Sequence, residues 1–296
     1  MSEFLMKPKI DFAFKEIMMD ETARVGFLSA VLRLDPNDIK ETAILNTDLR
    51  KVHKEDKQGI LDVRVSMNDD TEIDIEIQLN ELKVWAERSL FYLAKMYAEQ
   101  IEEGQNYDVL KKCVSISILD FKLLRDSDEF YSRFHFREDM RHTLYTDKME
   151  FHVIELPKLP EKLKEKSDYL LLWAKFINAE RKEEFEMLSQ KNEAIEKAYR
   201  RLQVISQDKE KRLEYEAREK AVRDYNQGMK EATERGIEIG EKRGIEIGEK
   251  RGIEIGREER AVGIAKKLFS FGMTPEDIAE ATGLTAEQVE ELRKQS

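Results

Sequence analysis

The order of elements legible in the sequence predicts an α/β or α+β core, a mixed sheet packed by helices, followed by a long helical extension. Three observations predict it. The stretch "LDVRVSMNDDTEIDIEIQ", residues 61–78, alternates apolar and polar residues about a turn, as a half-buried hairpin does. Segments of helical spacing lie before and after it, and the next apolar run, "CVSISILDF", is short enough to be a buried strand. Charged residues are 38% of the 296, with most of the excess in the C-terminal half, which sets a compact N-terminal domain apart from a charged helical tail.

Taken in order, "IDFAFKEIMMD" and "ETARVGFLSAVLRL" carry apolar residues at helical spacing, the second stopping at "DPND". "IKETAILNTDLRK" reads as a strand running into the polar loop "VHKEDKQG", and the hairpin follows. "WAERSLFYLAKMYAEQIEEG" is an amphipathic helix with an expected buried stripe of Leu90, Leu93, Ala94, Tyr97 and Ile101, and with Gly104 placed to end it. "EFHVIEL" is a further strand, and from about Asp168 to about Asn226 the pattern is helical and charged.

A tandem repeat comes next. "RGIEIGEK" begins at Arg235 and Arg243 and returns as "RGIEIGRE" at Arg251, with glycines every fourth residue from Gly236 to Gly256. In a helix each glycine costs roughly 1 kcal/mol relative to alanine, whereas the Glu238–Lys242 and Glu246–Lys250 pairs return only about 0.2–0.5 kcal/mol each. The repeat is therefore either a helix packed closely on another chain or a semi-flexible spacer. The end of the chain reads as three short helices, with Thr274 and Thr285 as N-caps and Pro275 in a first turn. "DIAEATGLTAEQV" resembles a helix-turn-helix, but its second helix offers Glu287, Gln288, Glu290 and Glu291, and carboxylates are unfavourable against phosphates. A dimerising or protein-binding cap is the expectation. The organisation is thus residues 1–165, 166–230, 231–258 and 259–296: sheet domain, charged helical region, repeat and small helical cap.

Composition narrows the function. The single cysteine, Cys113, excludes a disulfide framework and fits a reducing cytosol, with the thiol as a small core residue. With no leader-like or membrane-length apolar run, the expectation is a soluble, cytoplasmic protein without a membrane partner. A formal net charge of -11 argues against a broad surface that coats nucleic acid, though not against an enzyme that meets phosphates through metal ions. His53, His135, His142 and His152 are scattered without ligand or triad spacing.

The hairpin carries the chemistry. With Asn68–Asp70 as a three-residue loop, Leu61, Val63 and Val65 oppose Ile77, Ile75 and Ile73 on one face. On the other, Asp62 meets Glu76, Arg64 meets Asp74 and Ser66 meets Glu72. Opposed acids are unfavourable unless a cation sits between them, and oxygen ligands suit magnesium or manganese. A solvated sheet face is the competing explanation.

Asp62 followed by Glu76-Ile77-Gln78 resembles the PD-(D/E)XK nuclease signature with glutamine in the lysine position. With "IDFAFK", "ILDVRV", "IEIQ" and "RSLFYLAKMYAEQIEEGQNY", the chain is similar to the Rpn family of recombination-promoting nucleases, the PD-(D/E)XK nuclease family transposases. The resemblance is strong over about Lys7 to Phe121 and looser beyond. It implies a restriction-endonuclease-like mixed sheet and a magnesium- or manganese-dependent DNA endonuclease, with Asp62, Glu76 and the Ile77 backbone carbonyl on the cation and Gln78 orienting the attacking water. Asp11 matches an early acidic position and would complete the metal shell, unless it is only a first-turn acid favoured by the helix dipole. Gln78 brings no charge, so Lys57, Lys15 or Arg88 would have to supply it. Arg88 and Gln100 would contact the DNA backbone or brace the acids; Tyr92 and Tyr107 are expected to pack. Two strand cuts need two sites, hence a homodimer or higher homo-oligomer through the C-terminal helices. The setting would be recombination, mobile elements or phage defence. The rival readings are a weakly active nuclease-like scaffold acting as an oligomeric regulatory protein, and a DNA-joining recombinase.

Overall fold

The computed structural model describes residues 4–39, 41–46, 62–164 and 167–294. Its sheet follows from the alternation read above. β1 (Thr42–Leu45), β2 (Val63–Met67) and β3 (Glu72–Gln78) form an antiparallel run. β3 then pairs in parallel with β4 (Cys113–Leu119), as it must when the helix α3 (Trp85–Ala98) intervenes and brings the chain back in the same direction. β4 pairs in parallel with β6 (Leu144–Glu155), and β5 (Tyr131–Arg137) closes the order β1-β2-β3-β4-β6-β5 by pairing antiparallel with β6. This mixed sheet with flanking helices is consistent with the expected PD-(D/E)XK fold.

One face of the sheet is apolar. Val63, Val65, Ile73, Ile75, Ile77, Val114, Ile116 and Ile118 are buried in a core shared with α1 (Asp11–Met18), α2 (Glu21–Leu32), α4 (Tyr169–Asn178), α5 (Lys182–Ser189) and α6 (Glu193–Gln207). A train of aromatic contacts ties these helices together: Phe14 to Phe27, Phe27 to Trp173, Trp173 to Phe176, Phe176 to Phe185 and Phe185 to Tyr199, with ring centroids 5.4–5.8 Å apart. α2 and α6 cross so closely at Gly26 that a Cβ there would lie 2.2 Å from that of Ala194. Glycine is used here for proximity, not for backbone freedom. The charged segment after residue 166 thus contributes three helices to the core of the sheet unit.

Several elements depart from expectation. β5 was not foreseen: "YSRFHFR" is an edge strand with most positions at least partly exposed, so no apolar run marks it. The helix α3 ends at Ala98, short of Gly104, which instead takes a positive φ of 86° in the following turn. Its buried face is Trp85, Ser89, Tyr92, Leu93 and Met96, while Leu90 and Ala94 are exposed. The stripe is rotated because α3 covers the polar face of the sheet, where Ser115, Ser117, Asp74 and Glu76 lie.

The chain divides into two units, Met1–Asp224 and Tyr225–Ser296. Within the second, the octapeptide repeat is helical throughout, part of α7 (Lys209–Ser270). A Cβ added at any of its glycines would meet nothing within 4 Å beyond the helix's own backbone, and its six isoleucines are more than half exposed. Lys242 and Lys250 reach Glu238 and Glu246 at 2.6 and 2.7 Å. The end of α7 joins α8 (Pro275–Thr282) and α9 (Ala286–Lys294) around Ala265, Ile278 and Val289. Thr274 caps α8 and Thr285 exchanges hydrogen bonds with Gln288, as their positions imply, whereas the first of the three expected short helices is the end of α7.

Candidate active site

The observed hairpin register pairs Val63 with Ile75, Arg64 with Asp74, Val65 with Ile73 and Ser66 with Glu72. The turn closes with Met67 and Thr71 opposed, the Met67 amide donating to the Thr71 carbonyl at 2.9 Å. Asp70 takes the left-handed conformation, φ 59°, that a three-residue loop demands of its last residue. The Leu61–Ile77 pair lies outside the described residues. Asp62 sits just before β2, and its Oδ2 accepts the Ile77 amide hydrogen at 3.0 Å. Alternation along β3 then turns Asp74, Glu76 and Gln78 to the face beneath α3.

That face is poor in compensating charge. Glu76 is 3% exposed, and burial pushes its pKa up to about 7, against the pull of Arg88. Burial likewise raises Asp62 to about 6, opposed by the Ile77 hydrogen bond and reinforced by the charge of Asp11. Asp74 is raised well above the ordinary range by burial and by Glu76, and its Oδ1 has no hydrogen-bond partner among the described residues. Its expected partner, Arg64, is opposite in register but turns its guanidinium to Glu72, at 2.5 Å, and toward Glu99, at 3.6 Å.

Arg88 does reach the acids. Its Nη2 lies 3.4 Å from Glu76 Oε1, while the guanidinium sits over the rings of Trp85 and Tyr92 at 5.6 and 5.1 Å from their centroids. Tyr92 packs as expected; Tyr107 is 83% exposed and does not. Asp11 opens α1 without capping it from outside: its Oδ1 accepts the Phe12 amide hydrogen at 2.8 Å, and its charge acts on Asp62. Gln78 donates from Nε2 to the Asn80 carbonyl at 2.9 Å. Lys15 is exposed and forms no ion pair among the described residues. Gln100 is not brought to Glu76. It donates toward Glu72 and Cys113 and accepts the Lys111 amide hydrogen, where β3 and β4 begin. Lys57 lies outside the described residues.

The sequence reading missed two participants. Asp74 belongs to the same alternating series as Glu76 and was assigned to Arg64. Arg218, from α7, stands 3.8 Å from Asp11 Oδ2 and acts on Asp62, and no local pattern announces it. The histidines also converge more than their spacing implies. His152 is buried, with Nδ1 2.8 Å from the Tyr131 hydroxyl and Nε2 3.0 Å from Glu150, on which Lys112, Arg133 and His135 also close. Every acid oxygen there faces a cation or imidazole, so this cluster is a structural network. Cys113 is fully buried, its thiol pushed up to about 12 by desolvation first.

Among the described residues, no three His, Cys, Asp or Glu side chains converge to hold a metal by themselves. The half-buried Asp62 and the buried Glu76, both under-compensated, nonetheless fit a hard cation that keeps most of its water and takes one or two carboxylates from the protein. No helix among the described residues is long and apolar enough to cross a membrane.

The model of the PD-(D/E)XK nuclease family transposases matches residues 8–232. The chain belongs to that family. The match takes in α1, the hairpin, α3 and the beginning of α7, and so every described element that contributes to the acid cluster. No curated protein and no solved structure matches the chain.

Proposed function

We propose that this PD-(D/E)XK family member is a divalent-metal-dependent DNA endonuclease that hydrolyses phosphodiester bonds. The observation that carries the reading is the pairing of Asp62 and Glu76: the first half-buried and the second buried, joined through the Ile77 amide, and short of positive charge. Asp62, Glu76 and the Ile77 carbonyl would hold magnesium or manganese, with Asp11 at its margin. A cation bound there would neutralise the scissile phosphate and lower the pKa of the attacking water. Arg88 orients Glu76 and keeps it ionisable. Gln78, released from Asn80, orients the water; Lys15 meets the DNA backbone. The working unit is a homodimer or larger assembly formed through the C-terminal helices, with residues 1–165 as the nuclease region and residues 166–230, 231–258 and 259–296 as its helical, repeat and cap extensions.

The test is cleavage of supercoiled plasmid by the native chain and Glu76→Ala, with magnesium or with EDTA. Metal-dependent nicking that vanishes in Glu76→Ala is expected. A well-folded native chain that leaves the plasmid intact with magnesium and with manganese would sink the proposal.

The engagement of Gln78 with Asn80 favours a second reading, a nuclease-like scaffold whose activity is held in check. A chain ending at Asn226 separates the two. Faster cutting by the shortened chain supports restraint by the tail; an unchanged rate and oligomeric state count against it.

A further inference from the structure

The acid cluster leaves one electrostatic question open. Gln78 brings no charge, and Arg88, though its side chain is 38% exposed, sits over Trp85 and Tyr92 and is engaged with Glu76. The two guanidiniums that act on Asp62 are Arg88 and Arg218, and Arg218 is the more exposed, its side chain 65% exposed.

We propose that Arg218, in addition to Lys15, grips a DNA phosphate at this site, a guanidinium delivered by the first turns of α7 to the edge of the Asp11–Asp62–Glu76 cluster. The inference rests on the nuclease reading and adds to it a substrate contact outside the hairpin and α3.

Three features support it. The backbone under Arg218 is anchored. Tyr215, one turn earlier, is 1% exposed, its hydroxyl accepts the Lys7 amide hydrogen at 3.2 Å, and its ring meets Phe4 edge-on. Lys211 binds Glu16 on α1, and Arg212 lies over Phe4 at 4.2 Å. Lys211, Tyr215 and Arg218 fall on one side of α7, which follows α1 from Glu16 back to Asp11.

The side chain itself is available. Its contact with Asp11 is 3.8 Å, too long for a hydrogen bond, between groups 65% and 38% exposed. Exposed pairs of this kind are weak, so exchanging Asp11 for a phosphate gives up little. Lastly, a guanidinium presents a fork that matches two phosphate oxygens, a geometry neither Gln78 nor a lysine supplies.

The experiment uses the full chain and a duplex oligonucleotide, with binding followed by fluorescence anisotropy across a salt series and cleavage followed in parallel. Native protein, Arg218→Gln, Arg218→Lys and Glu76→Ala are compared, after thermal melting confirms that each is folded. Arg218→Gln is expected to lower the slope of log affinity against log salt by about 0.9, one phosphate contact, and to reduce kcat/KM on the order of 10²-fold. Arg218→Lys should keep the native slope and recover part of the rate. A native slope and rate in Arg218→Gln, with cleavage lost in Glu76→Ala, would overturn the role of Arg218 and leave the nuclease standing. A reduced slope in Arg218→Gln, with no cleavage by any form, would keep the phosphate contact and overturn the nuclease. No binding of DNA by the native chain at low salt would overturn both.

Discussion

Asp62 reaches past the end of its own strand to accept the Ile77 amide hydrogen, so the first acid of the pair is held by the strand that carries the second. Where the backbone ladder ends at Val63–Ile75, a side chain takes over the hydrogen bond. The two carboxylates cannot drift apart without leaving a backbone amide unpaired in a largely buried place, a cost of about 1–3 kcal/mol. They are held together despite their mutual repulsion.

That arrangement makes the metal-free protein sensitive to pH. Asp62 titrates at about 6 and Glu76 at about 7, both above their unfolded values of 3.8 and 4.5. The folded chain therefore holds these protons more tightly. The stability they contribute is full below about pH 4 and is lost as pH rises through the two folded pKa values. In EDTA, Glu76→Gln should flatten this fall and exceed native stability at about pH 8 by on the order of 2 kcal/mol. Melting curves across pH test it; superimposable curves for the two proteins would reject burial of Glu76 as the cause.

Arg88 opposes the burial of Glu76. Arg88→Met keeps a stem against Trp85 and Tyr92 but removes the charge. The acidic limb of the pH–rate profile should move to higher pH by about one unit. A uniform loss at every pH, with the limb in place, would instead make Arg88 a contact to DNA.

Gly26 tests the packing beneath the site. Gly26→Ala places a methyl 2.2 Å from Ala194 Cβ and should cost about 1–3 kcal/mol in urea unfolding. Adding Ala194→Gly should restore most of it. Failure of the double variant to recover would mean that α2 and α6 do not approach this closely.

Glu150 works in the opposite sense to Glu76. Burial alone would raise its carboxyl, but hydrogen bonds from His152 and Lys112 outweigh that and hold it well below the usual range. Its stabilisation is present above about pH 4.5 and is lost as pH falls. Glu150→Ala should cost about 3 kcal/mol at neutral pH, and the difference from native should shrink in acid. A difference that stays constant with pH would point to lost packing.

Legibility followed sequence distance. The hairpin could be paired residue by residue because its two strands are separated by a turn and one apolar face admits one register. What Arg64 does was not legible, because Glu72 and Glu99 are diagonal and helical neighbours that only the assembled layers bring near. The face of α3 was misjudged for a related reason: amphipathicity marks an apolar stripe, while this helix lies on polar residues of β3 and β4. β5 carries too little apolar surface to signal a strand. Arg218 is about two hundred residues from Asp11, beyond the reach of any local rule.

That distance also has a consequence for synthesis. The hairpin bearing Asp62 and Glu76 leaves the ribosome early, yet Met6 is tied to Ser206 and Lys7 to Tyr215, across 200 and 208 residues. At about 5–20 residues per second, translation needs roughly 7–26 seconds to go from the hairpin to α7. Until then the residues leading into α1 lack these two anchors. A nascent chain therefore carries the acid pair without the framework around it, and the cluster is completed only after α7 has followed the hairpin out.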